Sequence, residues 1–260
     1  NSELYLGGYY REDWGHLHPL NLCLGEAKAA EGLGAKIFEK SKVTAIKYSN
    51  NPVISTENGS VQARFAVLCG NAYMTKLVPY LDARVLPTVS CIIATEQLCD
   101  DQINRTMSRD VAVCDSRTAH DYYRLTADKR LLMGGLSNYT GLEPPNVSDV
   151  MRSHMAKVFP TLKSVGIDYA WSGKIGVSIR RMPQLGRIQD SNVFYATGYS
   201  GHGLAPTHMS GRVLAEAIDG NTYRMDILSK MLHLSWPGGK IFRRPLMAAG
   251  MMFYKILDML

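Results

Sequence analysis

Ala196-Thr197-Gly198-Tyr199-Ser200-Gly201-His202-Gly203-Leu204-Ala205-Pro206 is the stretch on which the reading of this chain turns. It follows an apolar strand pattern, Val193 to Ala196. It opens an apolar helical pattern that runs to Asp219, with Gly220 as its C-terminal stop. Three glycines at a strand-to-helix turn let backbone approach a ligand closely. The first N–H groups of a helix lack internal partners, and the dipole there favours negative charge. Such a turn suits a phosphate, a carboxylate or a ring that becomes anionic on reduction. The plainer reading, a tight connection that needs glycine for geometry alone, weighs about the same from local sequence.

Working outward, the pattern changes twice. Leu4 to Tyr10 reads as a strand, and Pro19 starts a helix that Gly34 stops near Leu33. Ala35 to Phe38, Lys42 to Tyr48 and Val53 to Thr56 read as strands. Asn58-Gly59 is a hairpin signal leading into a strand from Val61 to Cys69. The continuous apolar end of that strand, Phe65 to Cys69, suits burial on both faces. In the middle, Leu86 to Thr95, Val111 to Cys114, Asp121 to Leu125 and Arg130 to Gly134 are strand patterns joined by polar turns, as in an antiparallel sheet. Asn146 to Phe159 has its apolar residues at helical spacing (Val147, Val150, Met151, Met155, Val158), and Tyr169 to Ile179 is a further strand.

The fold class is therefore α+β in two parts. A nucleotide-binding-like part is built from both ends of the chain, residues 1–85 and 176–222. An antiparallel-sheet part, 86–175, is inserted between them, and 223–260 forms a helical extension. The Met-rich segment Leu246 to Leu260 reads as a docking helix, with peripheral membrane contact as the alternative.

Composition narrows the function classes. The chain has 260 residues, of which 46% are hydrophobic and 20% charged, as expected of a globular protein. The net charge of +6 comes from scattered Lys and Arg, without a basic stripe interleaved with aromatics, so nucleic acid is not an expected partner. Five cysteines, Cys23, Cys69, Cys91, Cys99 and Cys114, form no CxxC pair. They read as reduced, buried thiols of a reducing, cytoplasmic compartment. No GxGxxG, P-loop, HExxH or GxSxG occurs, which removes support for metal hydrolysis, P-loop chemistry and the common serine-hydrolase elbow. No metal ligands are expected.

Several residues stand out, each beside a plainer alternative. His202 lies between glycines with little local packing, although surface histidines are commoner than functional ones. Val67 to Ala72 ends a strand in Gly70-Asn71-Ala72, where backbone meets a nucleotide in some folds and merely ends a strand in most. Strand alternation sends Tyr122 and Arg124 to one face and Tyr123 to the other, which serves either a flat cofactor or ordinary sheet packing. Arg180 and Arg181 suit a carboxylate or surface ion pairs.

The motifs occur in a fixed order: a turn and helix at Gly15–Pro19, Val43 on a strand, Val67 to Ala72, an inserted sheet, Trp171-Ser172-Gly173, Arg181-Met182-Pro183-Gln184-Leu185-Gly186, and Gly198 to Gly203. This order resembles the FAD-dependent amine and amino-acid oxidases of the D-amino-acid oxidase, glycine oxidase and sarcosine oxidase type, over nearly the whole chain. The resemblance implies an incomplete FAD-binding domain with an inserted substrate domain, and non-covalent FAD, because Lys174 stands where some relatives attach the flavin through Cys. It implies cofactor contacts at Val43, Gly70, Asn71, Ala72, Gly198, Gly201, His202, Gly203, Leu204 and Ala205. His202 is the catalytic candidate, and Tyr122 and Arg124 are the substrate-side candidates. The family's N-terminal GxGxxG unit is not among these residues. The expectation is thus a C-terminal fragment, inactive and without FAD by itself, whose partner is the missing dinucleotide-binding unit.

Two positions shape the expected substrate. Ala205 replaces the Lys that binds a carboxylate in sarcosine-oxidase-like members, and Ile175 stands where glycine-oxidase-like members carry Arg. The resemblance therefore implies a small-molecule amine without an adjacent carboxylate, oxidised at its C–N bond. The other readings are an amino-acid or sarcosine-type oxidase and, outside enzymes, a non-catalytic binding or assembly module.

Overall fold

The computed structural model of the chain describes residues 2–74, 77–117, 120–138 and 141–257. Helix α1 (Pro19–Gly32) starts on Pro19, with His18 Nδ1 accepting from the Asn21 N–H, and ends just before Gly34 at φ +94°. Strands β1 (Val43–Lys47), β2 (Val53–Thr56) and β3 (Ser60–Gln62) form an antiparallel meander. The Thr56 N–H donates to Gly59 O at its Asn58-Gly59 turn.

The single strand expected over Val61 to Cys69 is in fact two. The Ala63 N–H donates to Pro52 O, the chain leaves the first sheet, and β4 (Ala66–Leu68) joins a different one. Val67 is exposed between buried Ala66 and Leu68, so β4 is covered on one face rather than two. Leu4 to Tyr10 and Ala35 to Phe38 do not form strands. Among the described residues no strand pairs with either segment, so neither completes a ladder.

The middle of the chain is a five-stranded antiparallel sheet in the order β6-β7-β8-β5-β9. Its strands are β5 (Leu86–Thr95), β6 (Ala112–Cys114), β7 (Asp121–Leu125), β8 (Leu131–Asn138) and β9 (Ile167–Val177). The short helices α2 (Pro79–Asp82) and α3 (Asp100–Thr106) flank β5 in sequence, and one face of the sheet is covered by α4 (Val147–Val158), capped by Asn146 Oδ1 on the Asp149 N–H. Met151, Met155 and Val158 of α4 pack into a core with Val89, Cys91, Ile93, Leu131 and Met133. Each such burial is worth about 1.5–3 kcal/mol. Tyr123 points into this core, edge-on to Phe159 at 5.0 Å, while its neighbour Tyr122 takes the opposite face, as alternation predicts.

The third sheet joins the two ends of the sequence. β10 (Gln184–Arg187) pairs antiparallel with β11 (Val193–Thr197), and β11 pairs parallel with β4. All five β11 residues are buried. β11 leads through the glycine turn into α5 (Leu204–Ile218), which packs Val213, Leu214 and Ala217 against Phe194 and Ala196. After Gly220, at φ +100°, follow the short α6 (Tyr223–Ser229) and α7 (Gly239–Leu257). α7 begins earlier than the expected docking helix and carries Pro245 inside it. Residues 258–260 of that expectation lie outside the described residues.

Cys91 is the buried thiol. Cys23 on α1, Cys69 after β4, Cys99 at the start of a short helix and Cys114 on the short edge strand β6 are exposed, contrary to the expectation that all five are buried. None of the five forms a disulfide. Among the described residues no helix is long and apolar enough to cross a membrane.

Candidate active site

The turn after β11 is built from residues with left-handed backbone: Gly198 (φ +76°), Ser200 (+56°) and Gly201 (+89°). Four hydrogen bonds fix it. Asn71 Oδ1 accepts from the Gly198 N–H (3.0 Å) and from Thr197 Oγ1 (3.2 Å). The Ser200 N–H donates to Gly176 O (2.9 Å), and Ser200 Oγ accepts from the Ser178 N–H (3.1 Å). The turn is thereby tied to the end of β9, and Asn71 links two motifs 127 residues apart. Gly176 leaves room for this link, since a Cβ there would stand 2.2 Å from Asn71 Oδ1.

At Gly201 only Ile175 Cδ1 comes within 4 Å of a built Cβ, so the turn presents bare backbone to the space above it. Gly203 caps α5 without a side-chain bond, and the first recorded helical donation is the Thr207 N–H to Gly203 O. Among the described residues nothing accepts from the N–H groups of Leu204 and Ala205. Both residues are exposed. This cradle fits a flat anionic group laid against the helix start.

Opposite the turn lies the second face of the five-stranded sheet. Thr88 and Ser90 of β5, Cys114 of β6, Tyr122 of β7 and Ile175 of β9 close a cavity of about 290 Å³ with Gly201 and His202. Tyr122 Oη shares a 2.8 Å hydrogen bond with Ser90 Oγ, and the His120 ring lies 6.0 Å from the Tyr122 ring. Its paired residue across the ladder is Gly134, where a Cβ would stand 2.1 Å from the Tyr122 ring. The absence of a side chain at 134 is therefore what seats that ring. Burial pushes the Tyr122 phenol up, against the opposing effect of Ser90, so it stays protonated. Among the described residues no acidic side chain lines the cavity.

The residues singled out in the sequence separate into groups. Tyr122, Gly201 and His202 meet in this cavity, with His202 Nδ1 3.2 Å from Ser200 O. Val43 and Gly70 meet elsewhere, in an open groove of about 820 Å³ between the first sheet and β4. Ala72 is buried, and the recorded bonds of the Asn71 side chain go to Thr197 and Gly198. Arg124 turns away from the cavity and donates to Leu125 O and Leu17 O, both at 3.2 Å. Sequence reasoning missed Ser90, Cys114, His120, Met247 and Met251. Only the alternation of β5 and β6 carried a signal for the first two, and nothing local carried one for the methionines.

The sequence profile of the family described as "DAO: FAD dependent oxidoreductase" matches residues 2–217. The chain belongs to that family. FAD is the family's cofactor. Gamma-glutamylputrescine oxidoreductase of Escherichia coli (strain K12) is 40% identical over 260 residues, covering 100% of this chain and 61% of that protein. The chain thus spans about three fifths of the length of this relative. Tyr199 to Met209 and the Arg243-Arg244-Pro245 tail are the segments that, read as sequence, look most like that enzyme. Among solved structures, L-proline dehydrogenase from P. horikoshii superposes with a TM-score of 0.62 at 20% identity, covering 77% of this chain and 55% of that one. Glycine oxidase from Geobacillus kaustophilus gives 0.62 at 19%, covering 76% and 53%. At such identities the superpositions speak for the fold. α7 lies beyond the family match, yet its Met247 and Met251 complete the cavity wall.

Proposed function

We propose that this chain carries the amine-facing part of an FAD-dependent enzyme that oxidises a C–N bond, on an amine of the kind named in its Escherichia coli relative. The observation that carries this reading is the turn at Gly201, with the free N–H groups of Leu204 and Ala205, facing Tyr122 and Ser90 across one cavity. Gly201 to Ala205 would hold the flavin ring, which would supply a hydride acceptor for oxidation of the amine C–N bond to an imine that water hydrolyses. The chain's residues do the rest. The α5 N-terminus favours negative charge on the ring. Tyr122, held by Ser90, offers a protonated phenol to the amine, and His202 lines the same space. Among the described residues no carboxylate lines the cavity, so nothing there favours an ammonium ion over the free base, whose lone pair assists hydride loss.

Ile175 supports an amine without an adjacent carboxylate, because it puts an alkyl chain into the cavity wall where glycine-oxidase-like members carry Arg. In the same reading the Val43–Gly70 groove takes the adenosine half, residues 1–85 and 176–222 form the cofactor part, and 86–175 the substrate part. Expressed by itself, the 260-residue chain is expected to lack a stoichiometric flavin band, since that groove is open.

The test is an anaerobic absorbance titration of the full-length protein. It is expected to be yellow and to lose its flavin band on addition of gamma-glutamylputrescine. A flavin band that no amine bleaches overturns the reading in favour of a non-catalytic module. Oxygen uptake with peroxide release then separates an oxidase from a dehydrogenase.

A further inference from the structure

Arg181 has no role in the chemistry above, yet its place is specific. The Arg181 N–H donates to Ser178 O (3.1 Å) and Ser178 Oγ donates to Met182 O (2.9 Å), closing a turn that holds Arg181 at φ +59°. A left-handed non-glycine residue costs about 1–2 kcal/mol, which glycine would avoid. Arg181, an exposed residue, lines two neighbouring cavities. One is the 290 Å³ space of Tyr122 and His202. The other, of about 500 Å³, lies under α7 against Trp236, Leu246 and Gly250. Val177, Met247 and Met251 are also common to both. Among the described residues no carboxylate pairs with Arg181, and no acidic residue lines either cavity.

The outer cavity has anchored walls. Trp236 Nε1 donates to Val177 O (3.1 Å) and the Trp236 N–H to Ala83 O (2.8 Å). Arg243 of α7 pairs with Asp82 at 2.8 Å, with both side chains buried. An uncompensated guanidinium between two adjoining spaces recognises a carboxylate in bidentate fashion. The methionine thioethers adapt to an alkyl chain passing beneath them.

We propose that Arg181 is a specificity residue for an extended amine whose carboxylate lies remote from the reacting C–N bond, with the linking chain under Met247 and Met251. This rests on the reading that the C–N bond sits at Gly201 and Tyr122.

The probes are N-glutarylputrescine and N-pentanoylputrescine, which differ only in a terminal carboxylate. The FAD-loaded full-length protein is titrated anaerobically with each, with binding read from the shift of the flavin band and turnover from its bleaching. The wild-type protein is expected to bind the glutaryl compound on the order of 30-fold more tightly, the size of a lost charge-assisted hydrogen-bond pair. Arg181→Gln is expected to abolish that preference and leave the pentanoyl compound unchanged, and Arg181→Lys to restore part of it. Equal affinities in the wild type, or an equal loss for both compounds in Arg181→Gln, overturns the proposal. If the preference appears in the band shift but neither compound bleaches the flavin, the oxidase reading falls and Arg181 stands. Bleaching by both with equal affinity does the reverse, and no response to either sinks both.

Discussion

Helix α4 buries Met151, Met155 and Val158 against the five-stranded sheet, whereas α1, two residues longer, buries nothing. Leu20 and Leu24 of α1 are 59% and 58% exposed. The contacts recorded for α1 and its leading turn are polar: Glu26 with His208, Arg124 with Leu17 O, and His16 with Asp110. The two helices show that apolar residues in a helix stabilise it only where a complementary surface covers them. α4 is held by area, α1 by capping and a few surface contacts. The candidate site lies beside the first kind of region: Tyr122 is the neighbour of Tyr123, and Tyr123 is packed into the α4 core.

The largest expected effect belongs to the buried pair that joins α7 to the short helix before β5. Arg243→Ala leaves Asp82 buried without its cation, and a loss of about 3–5 kcal/mol is expected in denaturant melts. A loss below about 1 kcal/mol would mean that α7 is as loosely attached as α1. Next comes the direct contrast between the helices. Met155→Ala opens a cavity in the core and is expected to cost about 2–5 kcal/mol, while Leu24→Ala stays within about 0.5 kcal/mol. Comparable losses from the two would erase the distinction.

Much of the frame was legible in the sequence because it rests on local signals. Pro19 and Gly34 bracket α1, Asn58-Gly59 makes the hairpin, and alternation in Asp121 to Leu125 puts Tyr122 and Tyr123 on opposite faces. What local signals cannot carry is a partner. Leu4 to Tyr10 has a strand's composition but pairs with no strand among the described residues, although Tyr9 and Tyr10 lie against β6. Val61 to Cys69 reads as continuous but divides where the chain changes sheets. The candidate site divides in the same way. The glycine turn was visible, because left-handed backbone selects its residues. Asn71 bonding Gly198, Gly134 seating Tyr122, and Met247 and Met251 closing the wall depend on segments far apart in sequence. Arg124 shares strand and alternation with Tyr122, yet its guanidinium finds Leu17 O instead, a choice set by where α1 begins.

The smallest expected effect concerns how α1 is held. His208 of α5 places Nδ1 2.7 Å from Leu204 O and Nε2 2.6 Å from Glu26 Oε1 of α1. The Leu204 carbonyl, then the Glu26 carboxylate, raise the His208 pKa above its ordinary value near 6.5. A raised folded-state value means that the protonated form is the one favoured by folding. The contact is therefore fully present below about pH 6.5 and is lost as pH rises through the higher folded value. Both side chains are about half exposed, so salt weakens the contact as well. Hydrogen exchange, corrected for the intrinsic pH dependence of the amide rates, is expected to show lower protection in α1 at pH 8.5 than at pH 5.5. α4 carries a histidine contact of its own, His154 Nδ1 at 2.9 Å from Asp121 Oδ1, so the α1 response is judged against a Glu26 variant and not against α4. Glu26→Gln is expected to flatten most of the α1 response, because the neutral amide no longer favours the imidazolium. An α1 whose protection ignores both pH and Glu26 is held by something other than this surface pair, and the contrast with α4 would then need a different physical basis.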